Sequence, residues 1–270
     1  MTRRPEIAAI RALATVAGAL PWGVGQYPIA RRYIDAGRWP TGTLAEQKMS
    51  NGSRMSIDLG DTTQLSAYLL RDFAPELTAF IQPRCPRGGT FFDVGANIGL
   101  VTFAIAAQRP DVTIHAFEPS APNIAAWKRN QALNAAPRAQ LVEAAVSDDE
   151  AGGHLTVPSD SGSGMLAAHG VRVPTVTLDA YCARHDIERI DVMKIDVEGH
   201  EAGVLAGARR LLEARAIGTI VLEVKHSVSG DRDPARILAG HGYGQVRIPA
   251  VGLFGRRTRR SHEQDAAFQA

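Results

Sequence analysis

Cysteine is nearly absent from this 270-residue chain, with Cys85 and Cys182 alone. Two thiols cannot build a disulfide scaffold or a four-cysteine zinc site, so both are expected in the core. Lysine is also scarce: Lys48, Lys128, Lys194 and Lys225 stand against 26 arginines. Neither sign of charge dominates, since 30 basic and 28 acidic residues leave a net +2, and nothing demands a nucleic-acid partner. No apolar run reaches the roughly 20 residues that a membrane-crossing helix needs. Charged residues at 21% and hydrophobic residues at 45% exclude wholesale disorder, collagen and coiled coil. What is present is enough chain for one sizeable core, or a core with a small appendage.

The charge is uneven. Residues 1–89 carry 11 basic and 7 acidic groups, and residues 244–270 carry 5 and 2, which leaves the centre at −5. The N-terminal stretch MTRRPEIAAIRALATVAGALPW has a faint likeness to a signal peptide, which Glu6 and Arg11 interrupt. Ile7, Ile10, Leu13 and Val16 or Ala17 recur at helical spacing. An amphipathic helix there packs on the domain or, with Arg3, Arg4 and Arg11, lies on a membrane or lipid-like substrate.

Residues 18–43 are rich in glycine, proline and aromatics around one short helix, Ile29 to Ala36. Met49 to Leu59 is expected as a hairpin turning at Asn51-Gly52. Leu65 to Gln82 reads as one helix. A regular alternation follows: strands over 90–94, 112–117, 140–146, 191–195, 219–224 and 243–248, with helices over 100–107, 121–133, 201–214 and 233–239. Short connections between strand and helix predict a mostly parallel sheet covered on both faces. An insertion over 152–177, with strands at 154–157 and 171–176 around SDSGSG, breaks the rhythm close to the expected ligand crevice. The tail from Arg256 onward lacks periodicity and is expected to fray.

The first strong motif is FFDVGANIG, Phe91 to Gly99. Glycines let a backbone turn sharply against a ligand, and the helix beyond offers unpaired amides. Asp93 falls at the carboxyl end of the strand, where open α/β sheets bind ligands. The order differs from G-x-G-x-x-G, which counts against the competing dehydrogenase reading. A carboxylate beside the loop suits a cationic ligand such as the α-amino group of S-adenosylmethionine. The next strand ends IHAFEPS, with Glu118 at its tip, 19 positions after Gly99 and placed to accept both hydroxyls of a ribose. Ser147 and Asp148 fall where an adenine edge would lie, although Asp148 could equally cap a turn.

The second cluster is IDVMKIDVEGHE, which brings Lys194, Asp196 and Glu198 to a strand end. A lysine and two acids there are costly to bury without partners or purpose, and a salt-bridged strand end remains the structural alternative. The segment IVLEVKHS sets Glu223 inside an apolar run, followed by Lys225 and His226. His226 and His200 are candidate bases because an unperturbed imidazole titrates near neutrality.

FFDVGANIG, AFEPS, Asn134, VTLDAY, MKIDVEGHEAGVLAGA and LEVKH, in this order over about residues 50–250, resemble the FkbM family of S-adenosylmethionine-dependent methyltransferases. The resemblance implies the class I methyltransferase fold, a Rossmann-like, mostly parallel seven-stranded sheet with helices on both faces and the last strand antiparallel. It implies that Asp93, Gly95, Asn97 and Gly99 form the methionine-side loop and that Glu118 binds the ribose. Asp196 and Glu198 mark the catalytic end of the fourth strand. Ser161 to Gly164, Ser163 included, matches a small-residue segment near the donor. The sequence departs from the family's pattern after Gly242, which puts the last two strands in doubt.

The resulting expectation divides the chain into an N-terminal helical and hairpin extension (1–82), a donor-binding domain (83–255) with the insertion 152–177, and a basic tail (256–270). The reaction is O-methylation of a hydroxyl on a small molecule, sugar, glycolipid or natural product. Asp196, Glu223, Lys194 and His226 are the catalytic candidates. A divalent cation held by Asp196, Glu198 and Glu223 is the alternative way to activate the acceptor. The acceptor pocket is expected from residues 18–75 and the insertion. The expected location is cytoplasmic, with peripheral membrane or lipid-substrate contact through residues 1–22 and homo-oligomerisation left open. The competing functions are an RNA or protein methyltransferase, for which no aromatic-basic module is present, and a non-catalytic nucleotide-binding scaffold.

Overall fold

The computed structural model describes residues 4–18, 32–35, 42–156, 164–223, 233–249 and 265–270. Helix α1 (Arg4–Gly18) buries Ile10 and Ala14, one helical turn apart, in the main core and packs against the helix over Thr62–Leu70. Ile10 and Ala14 are therefore used in packing on the domain, whereas Val16 is 58% exposed. Residues 32–35 are helical, and the rest of the glycine- and proline-rich stretch before residue 42 lies outside the described residues. Strands β1 (Leu44–Lys48) and β2 (Arg54–Asp58) form the expected hairpin around Asn51-Gly52, with Met49 in the turn rather than in the first strand. Asn51 fixes the turn by accepting from the Ser53 amide at 3.0 Å.

The helix expected over 65–82 is two helices. α2 (Thr62–Leu70) starts at Asp61, whose side chain accepts from the Gln64 amide. Arg71 and Ala74 then take φ 54° and 46°, and Pro75 opens α3 (Pro75–Ile81). A residue before proline disfavours the helical region, which explains the break.

The alternating part follows the sequence closely: β3 (Thr90–Val94), α4 (Leu100–Gln108), β4 (Thr113–Phe117), α5 (Ala121–Leu133) and β5 (Ala139–Val142). The strand expected over 140–146 divides at Glu143 and Ala144, so that β6 (Ala145–Val146) leaves the main sheet. The insertion folds as β7 (Gly153–Thr156), β8 (Met165–Ala167) and β9 (Val171–Val173) in a small antiparallel sheet of order β8-β7-β9. β10 (Thr175–Val176) returns to pair in parallel with β6.

Helix α6 (Leu178–Arg184) leads to β11 (Ile190–Ile195), and the helix expected over 201–214 becomes α7 (Glu201–Ala206) and α8 (Arg209–Glu213). Asp179 supplies the reason: its carboxylate accepts from the Arg210 and Leu211 amides at 2.9 and 3.1 Å and starts α8 afresh. β12 (Ile217–Glu223), α9 (Pro234–Gly240), β13 (Gly244–Val246) and β14 (Asp265–Gln269) complete the chain.

The central sheet has the order β13-β14-β12-β11-β3-β4-β5. β12, β11, β3, β4 and β5 run parallel, and β14 is antiparallel to both of its neighbours. The family pattern thus holds at the end the sequence left in doubt. The expectation of a frayed tail fails for residues 265–269, because Ala267 and Phe268 are buried on opposite faces of the sheet. Successive strand residues face opposite sides, so two adjacent apolar residues fit a strand covered on both.

One face carries the core that contains Phe91, Ile114, Val192 and Val221 and extends to Ile10, Met55, Ile57 and Leu65. The N-terminal extension therefore shares its core with the sheet. The other face packs Phe92, Phe117, Met193 and Ile220 under α6 to α9. Among the described residues no helix is long and apolar enough to cross a membrane.

Candidate active site

From β3 the chain moves outward to β4 and β5, then crosses back to β11 and β12 on the other side of β3. The switch point therefore lies between β3 and β11, where open sheets of this kind bind ligands at the strands' carboxyl ends. A cavity of about 260 Å³ opens there.

Its floor is the turn after β3. The Gly95 and Ala96 amides both donate to the Phe117 carbonyl at 3.0 Å, which ties the turn to β4. Gly95 has φ +78°, and a Cβ at this position would lie 1.8 Å from the Asp196 carbonyl oxygen. Only glycine lets the β3 and β11 exits approach so closely. Asn97 takes φ 51°, and Gly99 precedes α4 as its N-cap. Gly95, Asn97 and Ile98 line the cavity, whereas Gly99 packs beside Phe103 and Trp127.

Glu118 is 5% exposed at the tip of β4 and lines the same cavity. Its Oε2 accepts from the Asn97 amide at 2.9 Å and its Oε1 from the Ser120 amide at 2.9 Å. Asn123 lies 3.4 Å from Oε1. Burial raises the carboxyl pKa, and the two amides, Asn123 and the charge of Lys194 oppose that rise. The result is a carboxylate locked in orientation at the rim of the glycine turn.

Asp93 does not line the cavity. It is fully buried, with Oδ2 accepting from the Thr102 hydroxyl at 2.6 Å and Oδ1 from the Lys194 ammonium at 3.2 Å. The expected direct contact with an amino group therefore gives way to an internal task, holding Lys194. Lys194 also donates to the Gly95 carbonyl at 3.2 Å and lies 3.3 Å from Asp196 Oδ2. Burial disfavours its charge, but Asp196 and Asp93 outweigh burial and hold its pKa above the ordinary lysine value. Lys194 is thus a fixed cation and not a proton acceptor.

Asp196, Glu198 and Glu223 all line the cavity and offer one oxygen each within 4.8 Å of one another. Glu198 takes φ 54° in the turn after β11. Burial raises the Glu223 carboxyl well above the usual range, and the negative charge of Asp196 and a hydrogen bond to it add to the rise. Among the described residues, the buried Glu223 Oε2 has no hydrogen-bond partner.

His200 lines the cavity, with Nε2 3.0 Å from the Ser147 hydroxyl. Burial lowers its pKa against the pull of Asp148 and Glu201, which favours neutral imidazole. Ser147 also donates to Asp148 Oδ1 at 3.0 Å, and neither residue lines the cavity. The wall expected from them comes instead from Ala144, Ala145 and Val146. Ser163 and His226 lie outside the described residues.

Part of the cavity wall comes from both segments expected to build an acceptor pocket. Thr62, Thr63, Gln64 and Phe73 contribute from the N-terminal extension, and Leu155, Gly164 and Leu166 from the insertion. The sequence reading did not single out Thr62 to Gln64. The signal was the run Asp61-Thr-Thr-Gln64, a capping pattern that marks a helix start.

The site suits a nucleoside with a charged tail. A buried acid with spare acceptor capacity sits beside a turn that Gly95 opens with no side chain, and Phe117, Val146 and Leu155 supply apolar lining. Joined to a parallel sheet with one antiparallel strand near its edge, it defines a class I S-adenosylmethionine-dependent methyltransferase.

The family described as Methyltransferase FkbM domain matches residues 93–243. The chain is 30% identical over 192 residues to 31-O-demethyl-FK506 methyltransferase FkbM from Streptomyces tacrolimicus, covering 58% of this chain and 73% of that protein. It is 26% identical over 147 residues to Methyltransferase 1 from Beauveria bassiana (strain ARSEF 2860), covering 45% and 59%. Among solved structures, it is similar to an O-methyltransferase from Bacillus cereus in complex with SAH, at 13% identity and TM-score 0.43 over 97% of both chains. It is also similar to precorrin-6y C5,15-methyltransferase from Geobacter metallireducens GS-15, at 17% identity and TM-score 0.42 over 72% and 89%. The chain belongs to the FkbM methyltransferase family.

Proposed function

We propose that the chain methylates a hydroxyl of a small molecule, sugar or glycolipid of the natural-product kind. The observation that carries this is the group of carboxyls, Asp196, Glu198 and Glu223, lining the cavity between the glycine turn and the wall from α2 and the insertion. The relative from Streptomyces tacrolimicus is named for a 31-O-demethyl acceptor, which agrees with an oxygen acceptor.

Bound S-adenosylmethionine supplies an activated methyl group on a sulfonium. In this reading Glu118 accepts the ribose hydroxyls, and the Gly95 to Ile98 turn admits the amino-acid end. A hydroxyl gives up a proton when it is methylated, so the site needs an acceptor for that proton. Asp196 is assigned this task. Its Oδ2 is anchored by Lys194, and Glu223, with its raised pKa, already favours the protonated form. Thr62, Thr63, Gln64, Phe73 and Leu166 would orient the acceptor, which matters because alignment carries much of the rate in a displacement.

A second reading is favoured by the convergence of three carboxyl groups, with Glu223 Oε2 lacking a hydrogen-bond partner among the described residues. That donor set fits a hard divalent cation such as Mg²⁺, which would lower the pKa of a coordinated hydroxyl.

The test is turnover by the purified protein with S-adenosylmethionine and a panel of hydroxylated macrolides, glycosides and glycolipids, read by mass spectrometry. A methylated oxygen on at least one compound is expected. Methylation of RNA or protein, with none on the panel, overturns the proposal. Full activity after rigorous chelation rejects the cation.

A further inference from the structure

Among the described residues β2 is an edge strand, since β1 pairs with only one of its sides. Unpaired strand edges are normally blocked in some way. Here the free side points the Arg54, Ser56 and Asp58 amides outward, and a side-chain carbonyl meets each one. Asn134 Oδ1 accepts from Arg54 at 2.9 Å, Asn130 Oδ1 from Ser56 at 2.7 Å, and Gln64 Oε1 from Asp58 at 2.9 Å. The fit is geometric. Amides on one side of a strand repeat about every 6.8 Å, and residues four apart on a helix repeat about every 6 Å. Asn130 and Asn134, at the end of α5, therefore match two successive free amides. Asn134 also donates to the Arg54 carbonyl at 2.7 Å, so its side chain acts as a strand partner in miniature.

Asn130 does more than block an edge. It is fully buried, and its Nδ2 donates to the Ile98 carbonyl at 2.9 Å. Ile98 belongs to the glycine turn that lines the cavity. Gln64, at the far end of the same amide row, sits in the first turn of α2, which lines the same cavity. One continuous path thus runs from Ile98 through Asn130 and β2 to Gln64. Each link is buried or half-buried.

We propose that Asn130 is a positioning residue that couples the glycine turn to the α2 wall across β2, so that filling one side of the cavity steadies the other. This rests on the reading of Gly95 to Gly99 as the donor loop.

The test is amide hydrogen exchange with and without S-adenosylhomocysteine. In the unaltered protein, exchange slows at residues 95–99 and, by roughly fivefold or more, at 54–65. Asn130→Ala keeps the slowing at 95–99 and loses it at 54–65. Asn134→Ala, which leaves the bond to Ile98, keeps both. If Asn130→Ala does not fold, Gln64→Ala serves instead: it keeps slowing at 54–58 and loses it at 62–65. Slowing that still reaches 62–65 in Asn130→Ala, or in Gln64→Ala where that stands in, overturns the coupling. Slowing confined to 95–99 in the unaltered protein overturns it as well. No slowing at 95–99 overturns the donor-loop reading, and the coupling with it.

Discussion

Asp93 and Lys194 stand opposite each other on adjacent parallel strands and meet at 3.2 Å, with their side chains 0% and 7% exposed. An ion pair this deep loses its hydration and persists because each remaining polar atom is bonded, Asp93 to Thr102 and Lys194 to Gly95 and Asp196. Removing one partner leaves the other charge stranded. Asp93→Asn and Lys194→Met should each destabilise the fold by about 3 kcal/mol, read from urea midpoints. The double variant should cost clearly less than the two combined, because neither Asp93 nor Lys194 then leaves the other's charge stranded, and only the 35% exposed Asp196 loses its cation. Strict additivity would mean that the two residues do not act as a pair.

Glu118 gives the most direct probe of donor binding. Its side chain lines the cavity with both oxygens already fixed by amides. Hydrogen bonds to a charged acceptor contribute about 1.5–3 kcal/mol, so Glu118→Ala should weaken S-adenosylhomocysteine binding by roughly tenfold to a hundredfold. Titration calorimetry measures this directly. Unchanged affinity would remove Glu118 from the ribose site.

Much of this was legible from the residues, and what was missed shares one cause. Buried parallel strands read as short apolar runs, so β3, β4, β11 and β12 fall within two residues of their expected positions. Acids at strand ends were legible for the same reason, since Glu118, Asp196 and Glu223 stand out against apolar neighbours. The fate of Asp93 was not legible. Whether its carboxylate faces a ligand or an ammonium depends on a register with Lys194, 101 residues away. The split between α7 and α8 is similar, because the capping carboxylate of Asp179 comes from α6. β14 escaped notice because its place depends on β12 and β13, which pair with it on both sides, while its five residues show neither strand nor helix periodicity by themselves.

Two glycines near the site should respond very differently to alanine. Gly95→Ala drives a Cβ to within 1.8 Å of the Asp196 backbone oxygen, where no side chain can yield. The β3 and β11 exits must separate, and loss of S-adenosylhomocysteine binding together with a large drop in melting temperature is expected. Gly199 has a comparable φ of +97°, but a Cβ there meets nothing within 4 Å. Gly199→Ala should cost only the left-handed backbone strain, about 1–2 kcal/mol, with donor binding retained. Equal effects would mean that close approach at Gly95 is not what the turn requires.

His115 ties stability to pH from the face of the sheet remote from the N-terminal extension. It is 6% exposed, its Nδ1 is 2.9 Å from the Tyr181 hydroxyl, and Phe92 packs 4.9 Å away. Burial, with a smaller contribution from the charge of His185, lowers its pKa to about 4. An unfolded histidine takes up its proton near pH 6.5 and the folded one only near 4, so protonation favours the unfolded chain between these values. Stability from this group is complete above about pH 6.5 and declines as the pH falls toward 4. Other groups titrate in the same window, so the informative quantity is the difference between the protein and His115→Phe, which keeps an aromatic ring and removes the titration. At pH 7.5 the variant should be the less stable, because the Tyr181 hydroxyl loses its partner. The gap should narrow steadily as the pH is lowered to 5. A gap that is constant or widens would show that His115 accepts a proton in the folded protein at least as readily as in the unfolded chain.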